Sequence, residues 1–147
     1  MKSMYPRLGI ALGVSLLVMF CLSLAQTRRW DHFYFNISNF YLSLMMVGAM
    51  GVVMLLVMRP MYTNKRLNAG LLVTFAATLV TAFVLGRTET FVGDEAFLHS
   101  MIPHHSRAIL VCQEASLTDP EIIELCDGII ETQREEIAEM QRILEEY

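Results

Sequence analysis

Acidic residues, basic residues and histidine are missing from three long stretches of this 147-residue chain. Residues 8–25, 40–58 and 69–85 contain no Asp, Glu, Lys, Arg or His. Each stretch approaches the ~20 apolar residues that cross a bilayer as a helix, and buried helices of soluble proteins have shorter apolar runs. We therefore predict three transmembrane helices, with the lipid bilayer as a partner of the chain.

Acidic residues are scarce in the first part of the chain. Residues 1–93 contain only Asp31 and Glu89 beside eight Lys and Arg, whereas residues 94–147 contain thirteen Asp and Glu beside three Arg. Such an asymmetry indicates two different environments for the two parts. It also argues against nucleic acid as a partner, because the acidic part would repel phosphates instead of displacing their counterions.

Sequence motifs of enzymes are also missing. The chain has no nucleophile elbow, phosphate-binding loop or dinucleotide fingerprint. A ferritin-like di-iron centre needs a Glu three residues before a His, and none of the four His has a Glu at that spacing. We therefore predict that the chain is not an enzyme.

The basic residues that flank the three apolar runs predict their orientation. Three of them, Arg28, Arg29 and Arg87, would lie on one side of the bilayer. Five would lie on the other side: Lys2, Arg7, Arg59, Lys65 and Arg66. The positive-inside rule then puts the N-terminus in the cytoplasm and everything after Leu85 outside. The sequence Ser23-Leu24-Ala25 resembles a signal-peptide cleavage site. The apolar core before it is long for a signal peptide, so we favour a retained helix.

Methionine recurs with helical spacing in the second apolar run, at Met46, Met50, Met54 and Met58. A stripe of thioethers can pass Cu(I) along a path. The favoured interpretation is packing between membrane helices, in which methionine fills gaps. Gly48 and Gly51 beside the stripe suit close contact between helices.

The acidic part of the chain is predicted to be an antiparallel helical hairpin. Asp94 is suited to cap a first helix that runs to about residue 115. Thr118 and Glu121 have capping-box spacing, and they begin a second helix that runs to about residue 145. We expect a transmembrane region at residues 1–86, a linker at residues 87–93 and the hairpin at residues 94–147. The fold class is all-α.

The second helix carries an apolar stripe with spacings of three and four residues, which is typical of packing along one seam. Gln133 is a polar member of that stripe, so a polar partner must face it. On the first helix, the same spacing puts Met101, either His104 or His105, and Cys112 on one face. Folding the two helices together would bring these groups and Met140 to one seam.

The donor types in this seam favour copper. Thioethers select Cu(I), and imidazole suits both copper and zinc. A structural zinc site needs four Cys or His ligands, and the hairpin register separates the histidines from Cys112 and Cys126. Those two cysteines have three open interpretations, which are a disulfide, two buried thiols, or soft ligands.

Residues 94–144 resemble a bacterial family called domain of unknown function 305. The resemblance lies in two segments, Met101-Ile-Pro-His104-His105 with Asp94, Phe97, Ala108 and Ile109, and Gln133-x-x-Glu136-Ile137-x-x-Met140 with Ile129 and Ile130. It implies a ferritin-like helical fold, similarity to periplasmic copper-binding proteins or metallochaperones, and Met101, His104, His105 and Met140 as ligands. Many members have a methionine where this chain has Val111 and Cys112.

The expected function is therefore metal binding outside the cytoplasm by a protein of the bacterial inner membrane. The candidate metal ligands, with Cu(I) as the favoured ion, are Met101, His104, His105, Met140, Cys112 and Gln133. Two helices enclose only half of a four-helix bundle, so we expect a homo-oligomer, with a dimer favoured. The alternative is an accessory or assembly subunit of a larger membrane complex, in which the hairpin contacts a membrane-protein partner.

Overall fold

A computed structural model describes residues 4–147. Within this range the chain is all-helical, as predicted, with no strand. The five α-helices are α1 (Tyr5–Leu24), α2 (Ile37–Val57), α3 (Lys65–Arg87), α4 (Asp94–Glu114) and α5 (Pro120–Leu144). Two short 3-10 turns, Trp30–His32 and Arg59–Met61, lie in the α1–α2 and α2–α3 connections.

The helices form two compact units. Residues 4–23 and 38–90 make up the three-helix unit, which contains α1, α2 and α3. Residues 24–37 and 91–147 make up the hairpin unit, which contains α4 and α5. The loop between α1 and α2 is thus part of the hairpin unit.

The helices α1, α2 and α3 are 20, 21 and 23 residues long. All three are long and apolar enough to cross a membrane. At a rise of about 1.5 Å per residue, each covers the roughly 30 Å of a bilayer's hydrocarbon core. The sequence prediction of three candidate spans is confirmed, with helix ends that extend two to four residues beyond the third predicted run.

The methionine stripe of α2 lies in the packing of the three-helix unit. Met50, Met54 and Met58 pack against a buried cluster that comprises Leu8, Leu12, Val47, Leu55 and Tyr62. This arrangement favours the gap-filling interpretation of the stripe. Flexible thioether side chains accommodate the irregular space between helices.

Gly48 and Gly51 permit close approach of α2 to α3. A Cβ atom added at Gly48 would lie 3.0 Å from the backbone nitrogen of Leu79, and one at Gly51 would lie 2.6 Å from the ring of Phe75. The obstacle at Gly48 is backbone, which moves only if the two helices separate. The close contact therefore depends on the missing side chain at Gly48.

We expect Gly48→Ala to destabilise the three-helix unit by about 1–3 kcal/mol, because the added methyl group overpacks the α2–α3 contact. Gly70→Ala is the matched control, since a Cβ at Gly70 would meet open space. Thermal unfolding of the full chain in detergent would measure both variants. Equal melting temperatures for Gly48→Ala and the wild type would contradict this account of the contact.

The hairpin unit has its own core between α4 and α5. Its buried side chains are Leu98, Ile102, Ile109, Ile137 and Met140. Proline at the first position and the Asp119 side chain define the start of α5, since Asp119 accepts hydrogen bonds from the backbone N–H groups of Glu121 and Ile122. The N-cap of α5 is thus Asp119 and not the predicted Thr118. The N-cap of α4 is Gly93, and the predicted cap Asp94 is the first residue of the helix.

Candidate metal centre

The side chains of Met101, His105 and Met140 come together on one face of the hairpin. They line a shallow hollow of about 490 Å³ with Phe97, Glu135, Glu136 and Glu139, which we call the Met–His hollow. Met101 and His105 lie one turn apart on α4, so they share a face. Met140 reaches the same hollow from α5. Met101, His105 and Met140 thus line the same hollow, and their role as metal ligands stays a prediction.

His105 is positioned by an acidic neighbour on α5. Its Nδ1 atom lies 2.9 Å from Oε2 of Glu136, and its side chain is 15% exposed. The two atoms have the separation of an ion pair without hydrogen-bond geometry, and this buried Nδ1 has no hydrogen-bond partner among residues 4–147. Glu136 therefore faces one nitrogen of the His105 ring.

Gln133 is hydrogen-bonded to a carboxylate of its own helix. Its Nε2 donates a hydrogen bond of 3.1 Å to Oε2 of Glu136, the same oxygen that faces His105. The polar partner that the apolar stripe required is thus a residue of the same helix, one turn away. Gln133 does not line the Met–His hollow, so its action on a bound metal would pass through Glu136.

The rim of the Met–His hollow is acidic. Glu135, Glu136 and Glu139 all line it. Arg142 donates hydrogen bonds to Glu139, one of them 2.7 Å long, and this guanidinium holds the pKa of Glu139 below its ordinary value. The carboxylate of Glu139 is therefore ionised at neutral pH. A hollow with this rim attracts cations and repels anions.

The two adjacent histidines have different surroundings. His105 is half-buried in the Met–His hollow, whereas His104 is exposed and does not line the hollow. Their ring centroids are 5.9 Å apart. Neighbouring residues of a helix point about 100° apart, so only one of the two can face α5. Of the pair, the structure assigns His105 to the hollow.

Cys112 and Cys126 are joined by a disulfide, with their Cα atoms 5.4 Å apart. The pairing selects one of the three interpretations that the sequence leaves open. Cys112 is a correction to the predicted ligand set, because its sulfur is bonded to Cys126 and is not a thiolate. The bridge connects the C-terminal end of α4 to the first turns of α5, as the predicted register requires.

Within residues 4–147, no three His, Cys, Asp or Glu side chains are grouped so that they could hold a metal ion. A site in the Met–His hollow therefore depends on its thioethers. Sulfur from Met101 and Met140 would add to the single imidazole of His105. This donor set suits a soft ion better than a hard one.

Comparisons with known proteins place the hairpin in a family. Residues 83–144 match the family described as Domain of unknown function (DUF305). Uncharacterized protein L153 of Acanthamoeba polyphaga mimivirus is 34% identical over 113 residues, which cover 76% of this chain and 72% of the relative. The chain belongs to the DUF305 family. No solved structure matches it significantly.

The DUF305 match includes every residue that carried the resemblance, from Asp94 to Met140. The mimivirus relative extends over more of the chain than the family match, since 113 aligned residues exceed the length of the hairpin. Because that relative is viral, the bacterial origin of this chain stays a prediction.

In the DUF305 hairpin, His105 contacts α5 about one turn beyond the position opposite it in the register of the disulfide. Counting back from the Cys112–Cys126 bridge puts His105 opposite Gln133, yet it contacts Glu136.

Sequence analysis missed the contribution of the α1–α2 loop to the DUF305 domain. The backbone N–H of Arg28 donates to Oγ of the fully buried Ser106 at 2.8 Å, and the same oxygen lies 2.9 Å from Nδ1 of His32. The ring of Tyr34 stacks on His99 at 4.9 Å. The aromatic and imidazole side chains of residues 30–35 were the available signal, because an ordinary polar loop has few of them.

Burial lowers the pKa of His32, and this effect is larger than that of the Asp31 charge, which raises the pKa. The imidazole is therefore neutral at pH 7. A neutral ring with its proton on Nε2 accepts a hydrogen bond at Nδ1, and in that tautomer Ser106 accepts from Arg28 and donates to His32 at once. The loop is thereby attached to α4 immediately beside His105.

Proposed function

We propose that the chain is a membrane-tethered protein that binds Cu(I) in the Met–His hollow and serves copper handling without catalysis. The observation that carries this proposal is that two methionines and one histidine, Met101, Met140 and His105, line a single hollow. The donors come from both helices, so binding would require the folded hairpin. Copper is here the cargo of the protein.

The chemistry of the donor set fits Cu(I). Thioethers are soft ligands that select this ion, and imidazole tolerates it. A structural zinc site would need four ligands of the Cys and His type, whereas both hairpin cysteines are in the disulfide. The acidic rim of the Met–His hollow favours binding of any cation. The two sulfur donors would make the binding selective for Cu(I).

Glu136 would act on the metal through His105. A carboxylate beside one ring nitrogen keeps the proton there, which leaves the other nitrogen, Nε2, as the metal donor. Gln133 holds the same carboxylate oxygen with a hydrogen bond of 3.1 Å. Gln133 and Glu136 thus orient the imidazole, and His104 stays available as a ligand toward another chain.

The distribution of charged residues supports a location of the Met–His hollow outside the cytoplasm. The distribution of Lys and Arg around the three candidate spans supports a cytoplasmic N-terminus and a hairpin outside the cytoplasm, in a bacterial inner membrane. The disulfide between Cys112 and Cys126 supports the same side, because such bridges persist in oxidising compartments.

A contact surface on the hairpin favours the second candidate function, that of an accessory subunit of a larger membrane complex. Ile122, Ile123 and Leu125 at the start of α5 are 47%, 42% and 62% exposed. These apolar side chains suit a protein partner. A second copy of the chain would also cover them, and the homodimer stays a prediction.

A Cu(I) titration of the full chain in detergent, in competition with a chromogenic chelator, tests the proposal. We expect one high-affinity ion per chain in the wild type. The double variant Met101→Leu/Met140→Leu is expected to bind at least about tenfold more weakly, because leucine keeps the volume and removes the sulfur.

Met46→Leu is the matched control for this titration, because Met46 is an exposed methionine of α2, outside the hairpin. Its copper affinity should equal that of the wild type. If the wild type binds no Cu(I), or if the double variant binds it equally well, the copper proposal is wrong and the accessory-subunit function is favoured.

A further inference from the structure

A second hollow in the hairpin unit has the opposite charge. It has a volume of about 470 Å³, and we call it the arginine hollow. The α1–α2 loop, α4 and α5 all line it, with side chains of Arg28, Arg29, His32, Ile109, Gln113, Arg134, Ile137, Ala138 and Gln141. This volume is within the range of about 300–1,000 Å³ that is typical of small-ligand sites.

The lining of the arginine hollow contrasts with the composition of its unit. Residues 24–37 and 91–147 contain fourteen Asp and Glu but only five Arg. Three of those five Arg line this hollow, and no Asp or Glu does. Positive charge is thus concentrated at one place in an otherwise acidic unit, which makes this place selective for anions.

Two of the three guanidinium groups are available to a ligand. Arg29 is engaged by Asp31, with contacts of 2.9 and 2.8 Å. Arg28 donates only its Nε–H, to Oε1 of Gln113 at 2.5 Å, so its terminal nitrogens remain without a partner in the described chain. Arg134 has no hydrogen-bond or ion-pair partner within residues 4–147.

The hollow is held in place by buried groups. Ser106, which is fully buried, accepts the backbone N–H of Arg28 and contacts Nδ1 of His32. Gln113 orients the Arg28 side chain. Ile109 and Ile137, each 4% exposed, form an apolar floor. A preorganised guanidinium loses less side-chain freedom when it binds, which favours affinity.

We propose that the arginine hollow binds a phosphate monoester. The two available guanidinium groups carry two positive charges, and a monoester carries about −1.5 to −2 near pH 7. Planar guanidinium groups donate paired hydrogen bonds to phosphate oxygens. The remaining volume and the isoleucine floor accommodate the organic part of the ester. Both a soluble metabolite and a lipid headgroup of the phosphatidate type offer this group.

Calorimetric titration of the copper-free full chain in detergent micelles with sn-glycerol 3-phosphate tests the soluble source. Nanodiscs with and without phosphatidic acid test the lipid source, with co-purified lipid measured after detergent exchange. We expect saturable binding of at least one of the two probes at low salt. Binding should weaken as salt rises, because the contacts are ionic.

Arg134→Gln is the informative variant, since Arg134 is exposed and makes no hydrogen bond or ion pair within residues 4–147 that the substitution would remove. We expect it to weaken binding at least tenfold. Arg107→Gln is the matched control, because Arg107 is also an exposed, unpaired arginine of the hairpin but lies outside the hollow. Its affinity should stay within twofold of the wild type.

Two results would overturn the proposal. One is the absence of saturable binding of both probes to the wild type. The other is an equal loss of binding in Arg107→Gln and Arg134→Gln, which would indicate attraction by overall charge alone. Neither result bears on copper, because the Met–His hollow shares no lining residue with the arginine hollow.

Discussion

Replacing His105 with alanine is expected to weaken Cu(I) binding by the full chain at least about a hundredfold, which is roughly 2.7 kcal/mol. His105 is the single imidazole that lines the Met–His hollow, so the variant would leave only two thioethers there. The matched variant His104→Ala should bind within about threefold of the wild type, because His104 is exposed. Competition with a chromogenic Cu(I) chelator measures both.

A second measurement separates a ligand role from a structural one. X-ray absorption of the copper-loaded wild type should show one nitrogen and two sulfur neighbours, and the nitrogen should disappear in His105→Ala. Equal copper affinities for the two histidine variants would contradict the assignment of His105. A loss in His104→Ala alone would reverse it.

Removing the disulfide is expected to have the largest effect on the stability of the hairpin. The bridge closes a segment with a sequence separation of 14 residues. Loop-closure entropy for a segment of this length is about 3 kcal/mol. In Cys112→Ser/Cys126→Ser, the amides of α4 and α5 should therefore exchange with solvent roughly a hundredfold faster, as measured by hydrogen–deuterium exchange of the full chain.

Two controls accompany the cysteine variant. Cys21→Ser changes the free, exposed cysteine of α1 and should leave the exchange of α4 and α5 unaltered. The amides of α1–α3 should be unaffected in both variants. If three free thiols are titrated in the native wild type, or if the exchange of the hairpin does not change, the stabilising role of the bridge is refuted.

The cysteine variant also tests the ligand set. We expect its copper affinity to stay close to that of the wild type once copper has reformed the hairpin contacts, because neither sulfur lines the Met–His hollow. A gain in copper affinity when the wild type is reduced would instead indicate that the thiols of Cys112 and Cys126 are soft ligands, one of the interpretations open from sequence.

The helices of this chain are encoded locally, which is why sequence analysis found them. A segment that crosses hydrocarbon must satisfy its backbone hydrogen bonds within itself, so a long run without charge predicts a helix for each candidate span. The start of α5 is also local, because Pro120 and Asp119 adjoin the backbone groups they affect. The predicted ends of α4 and α5 lie within one residue of the observed ones.

The candidate metal site depends on contacts between residues that are far apart in the sequence. The sequence placed Met101 and a histidine on one face, but two adjacent histidines satisfy the same spacing equally well. Only packing against α5 rotates His105 inward and leaves His104 outside. The same packing places His105 against Glu136 and closes the disulfide. A rotation of the helix by about 100° would exchange the two histidines, and composition does not resolve such a rotation.

By itself, the sequence determined the three apolar spans, the acidic hairpin, and membership in a family whose pattern runs from Asp94 to Met140. The tertiary structure alone decided which donors share a hollow, and it attached the α1–α2 loop to Ser106 to create the arginine hollow. The physical reason is the distance along the chain over which the interactions act. Helical hydrogen bonds and hydrophobic spacing involve near neighbours in the sequence, whereas Arg28 and Arg134 line one hollow only after the hairpin has folded.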